Sequence, residues 1–204
     1  LIQSEPDPGK MLKLAQDNQQ GVQLLRRVVE TSGDEELVDI SRQVLDVIEE
    51  GRYRHRTDPN VIHHEIERLS TTARGRLLAI ERLKDSGQYA VPFMLEVLAN
   101  EQRRDEWPYI VEALPELGRD AIRPLVAGLQ TPEVGVKLQV IKALGEIGYP
   151  QSLAPLKYIV ENSDSSELVN QAQQSIEKID PAAMDTSAAR LFFELGEDYY
   201  YHLD

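Results

Sequence analysis

The sequence contains no cysteine. Disulfides, thiol catalysis and cysteine–zinc sites are therefore excluded, while the redox compartment stays open, because cysteine-free chains occur inside and outside cells. Basic charge is in deficit: 22 Lys and Arg stand against 35 Asp and Glu, for a net charge of −13. General nucleic-acid binding leaves a basic footprint, so this balance argues against it. The acidic excess keeps the chain soluble and is compatible with a basic partner, although most acidic surfaces are simply solvated. No apolar run approaches the ~20 residues of a membrane helix, so membrane insertion is not expected. A signal-peptide pattern is absent. The chain begins Leu1 and continues with polar "QSEPDPGK". The expectation is a processed or trimmed end and a soluble location, cytoplasmic or exported with its targeting segment removed. Strand signals are scarce too, with no alternating β-branched run and no Asn-Gly hairpin.

What is present is helical. With 204 residues, 41% hydrophobic and 28% charged, the chain is long enough for a sizeable core in one or two domains. Apolar residues recur at three- and four-residue steps, the spacing of one helix face. Leu12, Leu14, Ala15, Val22, Leu25, Val28 and Val29 predict a first helix over about 9–31. "TSGDEE" (31–36) breaks it, with Gly33 as stop and Asp34 as cap. Leu37, Ile40, Val44, Leu45 and Ile48 predict a second helix ending at Gly51, followed by a basic loop, "GRYRHRTDP" (51–59). Asp58-Pro59 is a start signal, a cap followed by proline in the first turn. Helices are then expected near 60–69, 71–85, 88–99, 104–117, 119–130, 133–147, 151–162, 165–179 and 185–201.

A repeat runs through this pattern. Alternate helices end "AIERL" (79–83), "ALPELG" (113–118), "ALGEIG" (143–148) and "SIEKID" (175–180). Leu83, Leu117, Ile147 and Ile179 fall 34, 30 and 32 residues apart, and Pro92, Pro124 and Pro155 fall 32 and 31 apart. Two helices per period of about 30 mark a helical solenoid. A single hairpin cannot bury both apolar faces, so stacked copies must supply the missing surface. Leu114 and Leu117 are expected on Leu144 and Ile147, and those in turn on Ile176 and Ile179. Glycine after the second helix permits the left-handed stop. Proline early in the next helix costs little, since its missing amide has no helical acceptor.

"VKLQVIKALGEIG" (136–148) resembles the second helix of a HEAT-like repeat of the short type also found in bilin lyases. Val136, Lys137, Ala143, Leu144, Gly145, Ile147 and Gly148 match that pattern, with Lys standing for Arg and Val140 for an alanine. The resemblance spans 88–180, loosens over 59–87, and reduces to a helix pair over 1–50. Trp107 sits where the repeat usually carries its arginine, Pro108 follows it, Pro115 replaces a glycine, and "SIEKID" lacks both glycines. The resemblance implies an all-α, right-handed α-α superhelix, a HEAT-like solenoid over 58–184. An N-terminal helical pair (1–57) precedes it. A capping helix (185–204), or the start of a further domain, follows. Its apolar stripe is Leu191, Phe192, Leu195, Tyr199 and Leu203.

In such stacks the second helices line the concave face. The resemblance therefore puts Trp107 and Lys137 there at one aligned position, and Tyr109, Gln139 and Gln171 at another. The function it implies is a non-catalytic scaffold that binds a protein or peptide, held by aromatic anchors and steered by acidic charge. Two rival readings stand beside it: a bilin-lyase-like cofactor-handling enzyme, and a structural spacer within a larger protein. A DNA glycosylase of the same fold conflicts with the acidic charge.

Other clusters admit chemical and plain readings. "HHE" (63–65) with His55 suggests a metal site, but His63 and His64 point about 100° apart on a helix. Exposed histidines are the expected reading, and no metal or cofactor is assigned. "RYRHR" (52–56) suits a phosphate or acidic segment; the plainer reading pairs it with "DVIEE" (46–50). Asp34, Glu35, Glu36, Glu49, Glu50, Asp105 and Glu106 sit at helix starts or on polar faces, where the dipole favours acids without catalysis. "DSSE" (164–167) reads as a cap, and no nucleophile–base pair or glycine-rich phosphate loop is visible.

Overall fold

The computed structural model describes residues 6–201. Leu203, expected in the last apolar stripe, lies outside the described residues. Among these residues there are twelve α-helices, five short 3-10 segments and no strand. The chain divides into two compact units, 1–61 and 62–204.

The first unit holds α1 (Pro8–Asp17), α2 (Gln19–Thr31) and α3 (Glu35–Thr57). The single helix expected over 9–31 is therefore two. Asn18 breaks it with φ −133° and ψ 67°, and its side chain accepts the Gly21 amide at 2.9 Å, capping α2. An Asn side chain competes with the helix for backbone donors, and here it wins. The pair expected before the solenoid is thus a trio, with both α1 and α2 packed on α3. Nor is 51–59 a loop, since α3 runs through Gly51 to Thr57. Gly51 is there for proximity: a Cβ on it would lie 2.2 Å from the Pro8 carbonyl oxygen. Arg54, His55 and Arg56 form the last turn of α3, where the helix dipole favours cations. As the plainer reading expects, Arg52 pairs with Glu49 at 2.6 Å and Arg54 pairs with Glu50.

The second unit is a series of hairpins. First-row helices are α4 (Pro59–Leu69), α6 (Val91–Ala99), α8 (Ile122–Gly128), α10 (Leu153–Asn162) and α12 (Ala188–Tyr201). Second-row helices are α5 (Ala73–Ser86), α7 (Trp107–Ala113), α9 (Val134–Ile147) and α11 (Ser166–Ile179). The expected stacking is present. Leu83, Leu114, Leu117, Leu144 and Ile176 belong to one continuous buried cluster, with Ile147 and Ile179 packed at its margin. Along the second row, α5 contacts the 3-10 segment Pro115–Ala121, that segment contacts α9, and α9 contacts α11. Along the first row α6 meets α8, and α10 meets α12.

Two expected helices are shorter than their apolar pattern. The one over 104–117 begins only at Trp107, after a 3-10 segment, and ends at Ala113 because Pro115 offers no amide to continue it. The one over 119–130 starts at Ile122. Of the C-terminal stripe, Leu191 and Leu195 are half-buried, while Phe192 and Tyr199 remain 45% and 40% exposed.

The two glycines of "ALGEIG" do different jobs. Gly148 closes α9 at φ +72°, in the left-handed region where a side chain is strained. Gly145 lets α11 come close, for a Cβ there would lie 2.5 Å from Ser175 Oγ and 2.9 Å from Ser175 Cα. The buried Ser175 hydroxyl uses that closeness to donate to the Ile141 carbonyl at 3.0 Å. Gly145→Ala is expected to lower stability by about 1–3 kcal/mol through overpacking. Gly135→Ala, whose Cβ meets nothing within 4 Å, should not destabilise. Chemical denaturation of both variants checks the contrast, and equal midpoints would refute it.

Candidate functional site

The first turn of α7 decides where Trp107 goes. Its indole N–H donates to the carbonyl of Val97, near the end of α6, at 2.9 Å, and the ring packs half-buried against the core. The Arg104 guanidinium lies 5.6 Å from the ring centroid. Trp107 therefore ties the two helices of its own hairpin and turns one edge outward. Beyond that edge lies a cavity of about 420 Å³ between α7 and the start of α9, walled by Leu98, Arg104, Trp107, Pro108, Leu138 and Gln139. Gly135 also lines it, and the missing side chain there leaves the wall open.

A second cavity, of about 510 Å³, continues along the same two helices. Pro108 and Val111 belong to both walls, so the two adjoin as one furrow. Its far end carries Glu112, Glu116 and Glu146 with Lys142. Each of these carboxylates meets a cation from a neighbouring second-row helix. Glu112 pairs with Arg76 at 3.4 Å, Glu116 with Lys84 at 3.0 Å, and Glu146 with Lys178 at 2.5 Å. The partners are 36, 32 and 32 residues apart, so the ladder keeps the repeat's own period. The Lys178 hydrogen bond, and then its charge, hold the Glu146 carboxyl below its ordinary range. The Glu116 hydrogen bond lifts the Lys84 ammonium above its own.

The five residues expected on the binding face part company. Trp107 and Gln139 share the furrow. Tyr109 is half-buried, with the Arg76 guanidinium 4.5 Å over its ring. Lys137 lines a separate cleft beside α8 and α10. Gln171 is half-buried on α11 and lines neither the furrow nor that cleft. Sequence reasoning did not single out Arg104, Val111, Gly135 or Leu138. Alignment shows which positions are equivalent, but not that Pro115 shortens α7 and opens room beside it.

The remaining polar clusters have structural employment. His63 packs edge-on against Phe93, with ring centroids 4.8 Å apart. Among the described residues no group of three or more His, Asp or Glu is placed to hold a metal ion. Asp34 caps α3 through the Leu37 amide, and Ser165 caps α11 through the Leu168 amide. Glu65, on α4, is buried and bonded to Arg68 at 2.8 Å and Arg82 at 2.5 Å. Two guanidiniums neutralise it, as a buried charge requires. No described helix is long and apolar enough to cross a membrane.

Residues 91–177 match the family model of HEAT repeats. The stacked segment from α6 to α11 is thus a run of HEAT repeats. No curated protein matches the chain.

The furrow's acid end allows a direct check. A carboxylate with a depressed folded pKa contributes stability above its unfolded pKa and loses it as pH falls through the folded value. In Lys178→Met the Glu146 carboxyl, followed by NMR across an acid titration, is expected to titrate at higher pH than in wild type. Overall stability at neutral pH should fall by under about 1 kcal/mol, because the pair is exposed. An unchanged Glu146 midpoint would show that Lys178 does not govern it.

Proposed function

We propose that this chain is a non-catalytic interaction scaffold that receives an extended segment of a protein partner in the furrow between α7 and α9. HEAT repeats commonly mediate protein interactions, which supports the coarse reading. The observation that carries the finer one is the furrow's two-part wall: Trp107, Pro108, Val111 and Leu138 at one end, three carboxylates with Lys142 at the other. The stretch of α9 lining it, Gly135 to Glu146, is about 16 Å long at 1.5 Å per residue. An extended segment of about five residues spans that length.

The partner segment has an apolar side chain for the Trp107 end and a basic one for the carboxylate end. Net charge −13 steers such a partner. The carboxylates already have cations, but exposed ion pairs are worth at most about 1 kcal/mol, so exchange for an incoming guanidinium costs little. Trp107 and Gln139 are the contact residues. Tyr109 acts behind them, through Arg76 and Glu112. The absence of catalysis in this reading rests on how the acids are used. General acid–base work needs carboxylates facing a substrate with suitable pKa values. Here the buried Glu65 is held by two arginines, and the furrow acids belong to an inter-repeat ladder.

Trp107→Ala is a poor probe, since it also breaks the bond to Val97. Gly135→Leu is a better one, because a Cβ added there meets nothing within 4 Å, the larger side chain takes up furrow space, and a helix glycine is replaced. Affinity capture from the source organism, with wild type and Gly135→Leu compared at equal loading, is expected to lose a specific partner about tenfold or more from the variant. Thermal stability should not drop. Recovery of the same partners by both proteins would overturn the furrow as the binding site.

A further inference from the structure

Lys137 is one of the expected binding residues that lie outside the furrow. It projects from the first turn of α9 into a cleft of about 480 Å³ beside the ends of α8 and α10. The walls are largely apolar, with Val126 and Leu129 from α8 and its end, Ile159 from α10, Leu168 from α11 and Phe192 from α12, while Gln130, Asn162 and Ser163 add polar groups. Lys137 is the one charged residue among those lining it. It is half-buried, and among the described residues it has no ion pair or hydrogen-bond partner for its ammonium. A cation beside an apolar surface with no anion of its own leaves room for a carboxylate, which would add a charge-assisted hydrogen bond.

We infer that this cleft is a second docking site, for a peptide segment in which a large apolar side chain stands next to a single carboxylate. The apolar side chain fills the cleft and the carboxylate meets Lys137. Two observations narrow the occupant. Tyr158 and Phe192 stand at the mouth 54% and 45% exposed. A small organic acid sunk between the walls leaves these rings wet, whereas a segment lying across the mouth covers them. The second is the charge outside the lining. Glu161, Asp164 and Glu167 flank Asn162, Ser163 and Leu168, and residues 161–204 hold ten acidic but only two basic residues. A segment with several carboxylates is repelled there, and one carboxylate flanked by neutral or basic residues is accepted.

The test uses the whole chain, isotope-labelled for NMR, and an acetylated, amidated hexapeptide, Gly-Ser-Phe-Asp-Ser-Gly. Controls replace its Phe by Ala, its Asp by Asn, or its second Ser by Asp. Decanoate serves as the small-acid probe. The parent peptide is expected to shift amides around Lys137, Tyr158 and Phe192, and each control peptide should bind more weakly. Losing the Asp charge, or making Lys137→Met, should each cost about tenfold, as for a charge-assisted hydrogen bond. Making both changes should cost no more than either, because they remove the same contact. Lys137→Arg should retain binding, and Tyr158→Ala should weaken it. Gly135→Leu should leave it intact, so failure here is separable from failure of the furrow. Shifts elsewhere, additive losses for the double change, equal affinity for all four peptides, or tighter binding of decanoate than of any peptide would each overturn the proposal.

Discussion

Each helix of the second unit has more apolar surface than the one partner in its own hairpin can cover. Everything else in residues 62–201 depends on that shortage. Leu114 and Leu144 are fully buried in a cluster that residues from several hairpins build together. The tightest joint is between α9 and α11, where Gly145 admits Ser175 to within contact of its backbone. Close approach also brings the buried Ser175 hydroxyl to the Ile141 carbonyl, so that a polar group hidden from water has a partner. Burial, steric fit and polar satisfaction thus meet at one pair of residues.

The ion pairs between second-row helices are a consequence of this stacking, not its cause. Once the apolar faces fix the register, residues 32 to 36 apart come opposite each other, and complementary charges there add a little stability and more specificity. Buried Glu65 is a different case. With two arginine partners it disfavours any alternative packing that would separate them. Buried Lys157 works similarly, its ammonium donating to the Met184 carbonyl and so anchoring the segment that leads into α12.

The architecture was legible because period and composition agree. Spacings of 30 to 34 residues, glycine stops and early prolines all describe the same hairpin. Helix existence followed from apolar spacing; helix boundaries did not where local chemistry overrode it. Asn18 broke a run that looked continuous, and Gly51 failed to stop one because α1 needs the space it leaves. The destinations of the residues expected on the binding face were only half readable. Aligned positions 107 and 137 are equivalent in the repeat, yet Trp107 turns toward Val97 and the furrow while Lys137 enters a different cleft. Equivalence in sequence gives the helix turn, whereas the rotamer and the neighbours give the destination. The departures from the repeat, Trp107 and Pro115, both line the furrow.

Pro115 has a mechanical consequence. In a stack of paired rods, stiffness comes from unbroken helices running the full width of each layer. Two consecutive layers each have a rod of only seven residues, α7 and α8, joined by a 3-10 segment whose hydrogen-bond geometry is poorer than that of an α-helix. Bending and twisting of the spring concentrate in its most compliant coil. Filling the proposed furrow, which lies beside that joint, would therefore brace the stack where its helices are shortest.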